Sequence, residues 1–135
     1  MKSLIVEDDL TTRTLLLRLL TPYGECHIAI NGREAVATYG VALDAGQPYD
    51  LVCLDIMLPE LDGHAALKEI RAMEEVRIAN STHGARIIMI SALDDMKNMS
   101  AAYQHLCDGY LVKPIDKTEL LGLLNKLEVF GEGGP

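Results

Sequence analysis

Five times along the chain, a run of three to five mostly apolar residues gives way to a longer segment with helical spacing. No other feature constrains the fold as strongly. The short runs fall at residues 4–6, 26–30, 50–54, 87–90 and 110–112, and the helical segments at 10–20, 34–43, from Asp62-Gly63 onward, 94–106 and 116–127. Leucines at 10, 15, 16, 17, 19 and 20 give the first helix a broad apolar face, with Asp9 as its N-cap and Gly24 beyond its end. Asn31-Gly32 and Gly46-Gln47-Pro48 supply turn chemistry between elements. Five such strand–helix units predict an α/β fold, a doubly wound five-stranded parallel sheet with helices on both faces. One Phe and no Trp mean that its core is aliphatic, which suits strands buried on both sides.

At 135 residues the chain has the length of one domain. We expect that domain to span residues 1–130, followed by a disordered tail at 131–135 with nothing to pack and no linker to an effector module. Residues 73–86 are less regular than their surroundings, and the loop-forming stretch 80–84 marks an insertion around residues 74–84. Twelve Lys and Arg against twenty Asp and Glu give a net charge of −8, which argues against direct nucleic-acid binding. Cys26, Cys53 and Cys107 lie apart among apolar residues and read as buried, reduced thiols. No apolar run approaches the roughly 20 residues of a membrane span, and no secretory segment opens the chain. The expected setting is the cytoplasm, without membrane insertion.

Ligands of open doubly wound sheets bind beyond the carboxyl ends of the strands, where the winding reverses; in the flavodoxin-like order 2-1-3-4-5 that point lies between strands one and three. Glu7-Asp8-Asp9 follows the first strand and Asp55 ends the third, so carboxylates converge there. Such a cluster repels itself unless a cation is present, and a hard divalent ion with oxygen ligands is the Mg²⁺ pattern. Ser91 closes the fourth strand with a hydroxyl and Lys113 closes the fifth with an ammonium. Carboxylate nucleophile, metal, hydroxyl and fixed cation together suit an acyl phosphate.

Four segments, Leu4-Ile5-Val6-Glu7-Asp8-Asp9, Leu54-Asp55-Ile56-Met57-Leu58-Pro59-Glu60-Leu61-Asp62-Gly63, Ile90-Ser91-Ala92 and Tyr110-Leu111-Val112-Lys113-Pro114, resemble the signatures of response-regulator receiver domains, in the same order and across nearly the whole chain. The resemblance implies phosphorelay signalling in a two-component system, with a single-domain receiver of the chemotaxis type. It implies that Asp55 is the phosphoacceptor and that Mg²⁺ is bound by Asp8, Asp55 and the main-chain carbonyl of Met57, with Glu7 acting through water. Ser91 and Lys113 would contact the phosphoryl group, Ser91 and Tyr110 would form the switch, and Lys113-Pro114 would be a cis peptide bond. The donor would be a histidine kinase or phosphotransfer protein, and the output a partner protein bound on the face of residues 94–106 and 110–127. Phosphorylation-dependent pairing with a second copy stays open, as do the pathway and the target. Met57 and Leu93 stand where some receivers carry polar residues that guide water, which implies slow self-dephosphorylation.

Each residue also has a plainer reading. Asp8 or Asp9 alone could be a helix cap, Ser91 and Lys113 strand ends, and Tyr110 a core aromatic. His27, His64, His83 and His105 lack metal-ligand spacing and read as structural or solvated. Met96 and Met99 could pack in the core or belong to a partner face. A rival function is an aspartate-nucleophile phosphatase of the haloacid dehalogenase kind, which needs an acid two residues after the nucleophile. That position is Met57, which transfers no proton, so we expect no turnover enzyme. A flavin-binding or degenerate module would show a Ser/Thr/Gly-rich loop after strand one, or lack the acceptor, and neither is seen.

Overall fold

The computed structural model describes residues 1–77 and 84–130. Its elements are β1 (Lys2–Val6), α1 (Leu10–Leu20), a 3-10 turn (Thr21–Tyr23), β2 (Glu25–Ala29), α2 (Gly32–Asp44), β3 (Leu51–Leu54), α3 (Gly63–Arg77), β4 (Arg86–Ser91), α4 (Leu93–Lys97), α5 (Ala101–Gln104), β5 (Gly109–Val112) and α6 (Lys117–Lys126). The strands form one parallel sheet in the order β2-β1-β3-β4-β5. β1 therefore has a neighbour on each side, and the crevice between β1 and β3 is where the winding changes direction.

Alternate residues of each strand point to opposite faces, so the sheet feeds two separate cores. Leu4, Val6, Val52, Leu54, Ile87 and Met89 pack with Ala35 and Tyr39 of α2 and with Ala66, Leu67 and Ile70 of α3. Ile5, Leu51, Cys53, Ile88, Ile90 and Leu111 pack with Leu16 and Leu20 of α1 and Leu120 and Leu124 of α6. β3 is buried at every residue, whereas at the edges β2 buries only Ala29 and β5 only Leu111. Side chains close the helix starts: Asp9 accepts from the Thr12 amide at 3.0 Å, Asn31 from Glu34 at 2.8 Å and Asp116 from Glu119 at 2.9 Å.

Two regions depart from the sequence reading. Residues 94–106 do not form one helix. The chain leaves helical geometry after Lys97, turns Met99 inward to 5% exposure, and restarts at Ser100, whose extended backbone presents its carbonyl to the Tyr103 and Gln104 amides. Asn98 and Ser100 are weak helix formers that favour such local bonding, and burial of Met99 outweighs helical continuity. Met99 is thus core, while Met96 is half-buried and packs one side against the same core.

The second departure is at residues 73–77, which continue α3 rather than loosening. Arg71 and Glu74 on that helix enter a buried polar network. The Arg71 guanidinium donates to Glu74 Oε1 at 2.6 Å and to Asp108 Oδ2 at 2.9 Å, and Glu74 Oε2 accepts from the Ala85 amide at 2.8 Å and from the Tyr39 hydroxyl. Most of the expected loop at 80–84, including His83, lies outside the described residues, as does the tail 131–135. Of the three free thiols only Cys53 is buried, while Cys26 and Cys107 are half-buried. His27 bonds to Tyr49 and Glu25, and His105 is exposed.

Leu67 is fully buried beneath the sheet, whereas Val41 on α2 is 69% exposed. Leu67→Ala is expected to cost about 2–5 kcal/mol of stability in urea unfolding, and Val41→Ala less than about 0.5 kcal/mol.

Candidate functional site

The sheet's own hydrogen bonding builds the site. The ladder continues one residue past the strands: the Glu7 amide donates to the Ala29 carbonyl at 3.1 Å, Asp55 to Val6 at 3.1 Å and Lys113 to Ser91 at 2.9 Å. Three site residues are thereby held by backbone before their side chains make any contact. Gly63 adds a further constraint, because a Cβ there would lie 2.1 Å from the Asp55 carbonyl oxygen, so α3 starts hard against the peptide that carries Asp55. Gly32 plays a similar part at α2, where a Cβ would lie 1.8 Å from the Leu61 carbonyl oxygen.

Asp55 is 5% exposed. Its Oδ1 accepts from the Ser91 hydroxyl at 2.8 Å and from the Met57 amide at 3.1 Å, and its Oδ2 accepts from Lys113 Nζ at 2.9 Å. Lys113 also pairs with Glu7, so one ammonium bridges two carboxylates contributed by different strands. Asp8 is exposed at the rim. Glu7, Asp8 and Asp55 each place a ligand oxygen within 4.8 Å of the other two. Asp9, by contrast, turns away to cap α1, bonding the Thr12 amide and hydroxyl. Tyr110 is not brought into the cluster; it sits on β5, 47% exposed. The Lys113-Pro114 bond is cis.

Burial raises the Glu7 carboxyl well above the ordinary carboxylate range, reinforced by its contact with Asp55 and opposed by Lys113. Burial alone would raise Asp55 too, but hydrogen bonds from Glu7, Lys113 and Ser91 outweigh it and hold Asp55 below its usual value. The ammonium of Lys113 is stabilised in turn by the same two carboxylates, against the effect of its burial. A proton taken up by this cluster therefore resides on Glu7, leaving Asp55 the ionised member.

The residues present fit a divalent cation. Glu7 is buried with only the Lys113 ammonium against its Oε1, and its Oε2 has no hydrogen-bond partner among the described residues, an expensive arrangement for an ionised carboxylate. With Asp8 and Asp55 adjacent, the Glu7 oxygens form an all-oxygen donor set of the kind that suits Mg²⁺. The Met57 side chain is 62% exposed, so its main chain is the part directed to the site.

Two contributors could not be found from the sequence. Arg13 on α1 donates to the Glu7 carbonyl at 3.2 Å, pinning the acidic loop, and a lone Arg in an amphipathic helix carries no signal for that role. Gly63 was legible only as a helix start after Asp62, not as a surface against which Asp55 is seated.

The family model for the response regulator receiver domain matches residues 3–125. Among curated proteins, the chain is 34% identical to protein RcaC of Microchaete diplosiphon, over 100% of this chain and 19% of that protein. It is 33% identical to the transcriptional regulatory protein PcoR of Escherichia coli, over 92% of this chain and 50% of that one. The chain thus spans half or less of the length of these relatives. Among solved structures, a CheY-like response regulator receiver domain from Methylobacillus flagellatus superposes with a TM-score of 0.75 at 26% identity, covering 95% of this chain and 98% of that one. The receiver domain of a sensor histidine kinase from Pseudomonas aeruginosa, solved with magnesium coordinated in its active site cleft, gives 0.72 at 30% identity, covering 93% and 94%.

In divalent-free buffer the native state keeps a proton on Glu7 that the unfolded chain releases near 4.5. Stability should therefore fall as pH rises from about 4.5 toward the elevated native value of Glu7. Asp55 contributes the opposite trend at the acid end, where its stabilisation is present above 3.8 and lost as pH falls through its depressed native value. Urea unfolding in EDTA at about pH 5 and about pH 8 should show the parent weaker at the higher pH, with most of the difference abolished in Glu7→Gln. A parent as stable at the higher pH as at the lower would contradict this assignment.

Proposed function

The chain belongs to the response regulator receiver domain family, and from that membership we propose that it takes a phosphoryl group onto Asp55 from a phosphohistidine donor in the presence of Mg²⁺. The observation that carries this reading is the setting of Asp55, an ionised, buried carboxylate whose two oxygens are oriented by Ser91, Lys113 and the Met57 amide. In the transfer, a carboxylate oxygen attacks phosphorus as the P–N bond to the donor imidazole breaks, and the ring nitrogen keeps the electron pair. Lys113 is placed to neutralise phosphoryl oxygen charge, and Ser91 to donate to another oxygen. When bound, Mg²⁺ supplies further positive charge to those oxygens; Asp8, Asp55 and the Met57 carbonyl would hold it, with Glu7 acting through water. The domain acts on its own phosphorylation and dephosphorylation and is not a turnover enzyme.

We place the receiver unit at residues 1–130 and its action in the cytoplasm, with a histidine kinase or phosphotransfer protein as donor. No described helix is long and apolar enough to cross a membrane. Met57 and Leu93, 62% and 49% exposed, offer no group to orient an attacking water, so the acyl phosphate would be long-lived. A new dianion at Asp55 adds roughly −1.5 to −2 charges and draws Ser91 and Lys113 inward. Tyr110 then changes rotamer, and a partner protein reads the altered surface around residues 94–106, β5 and α6. The phosphoryl group biases this equilibrium only through its different contacts in the two states.

Intact-mass measurement after treatment with acetyl phosphate and Mg²⁺ tests the acceptor. A gain of one phosphoryl group is expected in the parent and in Asp9→Ala, and none in Asp55→Ala; an undiminished gain in Asp55→Ala would defeat the assignment. For the metal, Asp8→Asn should weaken Mg²⁺ binding in a titration by at least roughly 10–100-fold, since even indirect partners of a metal commonly cost that much. Unchanged affinity would mean that the ion sits elsewhere.

A further inference from the structure

α4 and α5 occupy the stretch between the phosphorylation site and β5, yet they are held very differently. α4 starts two residues after Ser91, has no side-chain N-cap and buries none of its residues, and Leu93 at its start is 49% exposed. Its side-chain link to the site is a long contact of 3.5 Å between the Ser91 hydroxyl and Asp95. α5, of only four residues, could not persist on its own.

What holds α5 is α3. The Tyr103 ring lies nearly parallel on the His64 ring, with centroids 4.5 Å apart and planes 17° from parallel. His64 Nε2 is buried with no hydrogen-bond partner among the described residues, so the stack, and no hydrogen bond from that nitrogen, sets the ring's position. One face of α3 seven residues further on carries Arg71, whose Nε donates to the Leu106 carbonyl at 2.7 Å and whose Nη2 donates to Asp108 at 2.9 Å. Asp108 also accepts from the Ile87 amide at 2.8 Å, and Arg71 itself is braced by Glu74 and the Ala85 carbonyl. The turn leaving α5 is thus fastened to α3 and β4 through a part-buried ion pair with several hydrogen bonds, the class of polar contact that is costly to break. Between the two helices, residues 98–100 depart from helical geometry, and Gln104 Nε2 caps the Met99 carbonyl exposed by the break, at 3.0 Å.

We infer that this break is a hinge and that α3 is a fixed post: phosphorylation moves Ala92 to Asn98 as a unit, while His64 and Arg71 keep α5 and its exit turn in place. The inference rests on the reading of Asp55 as acceptor, and it narrows where the signal is displayed. Of residues 94–106, those up to Asn98 carry the phosphorylation-dependent surface, and those from Ala101 do not.

Amide hydrogen exchange of the full chain, with and without Mg²⁺ plus beryllofluoride as the acyl-phosphate probe, distinguishes the possibilities. The expected result is a change of about tenfold or more at residues 92–98, with residues 101–108 altered by less than about twofold. In Tyr103→Ala and in His64→Ala, each first checked for parent-like circular dichroism, the beryllofluoride response should spread into residues 101–106. Equal responses on both sides of the break in the parent would overturn the hinge, with the Asp55 reading intact. A response that stops at 98 in both variants would overturn the role of the stack. No response anywhere, including the loop after Asp55, would overturn the acceptor reading and this inference with it.

Discussion

Glu7 and Asp55 are brought together by the register of β1 and β3, and neither carboxylate has water enough around it to be ionised cheaply. The ammonium of Lys113, delivered from the far edge of the sheet by the last residue of its ladder, bridges them. Everything else about the site follows from having to hold that triangle. The amides of Glu7, Asp55 and Lys113 are tied to the preceding strand ends, Gly63 closes on the Asp55 peptide, and Arg13 pins the carbonyl of Glu7. Even so, one positive charge facing two buried carboxylates and the exposed Asp8 leaves an excess of negative charge, and it is this excess that a divalent cation would relieve.

The unequal fates of Glu7 and Asp55 are the chemical consequence. Two neighbouring carboxyl groups cannot both be ionised at low cost, so the one with fewer donors takes the proton. Asp55 has three oriented donors and stays charged, which is the state a nucleophile needs. Its pKa stays low although it is buried, because hydrogen bonds from Glu7, Lys113 and Ser91, brought in from strands on both sides of β3, favour its ionised form.

The sheet and the site were legible because both are written locally. An apolar run ending in an acid, a serine or a lysine places that residue at a strand's carboxyl end whatever the rest of the chain does, and Asp55, Ser91, Lys113 and Glu7 stand where that rule puts them. What escaped is written in contacts between distant segments. Tyr39, Arg71, Glu74 and Asp108 carry no motif in the sequence, yet they close on one another in the structure. The break at 98–100 escaped for a related reason: helical spacing from 94 to 106 is satisfied on paper, and only the pocket that receives Met99 shows why the chain abandons it.

The sheet is also a partition. Among the described residues, the core shared with α2 and α3 and the core shared with α1 and α6 have no buried residue in common, and the sheet lies between them. A change of side-chain volume on one side can be absorbed there without repacking the other, while Asp55, Ser91 and Lys113 stand at the carboxyl rim of the sheet between the two layers. Over evolutionary time the two layers are free to drift at separate rates. Descendants of such a chain could therefore diversify one outer surface for new partners while the other, and the pocket between them, stayed as it was.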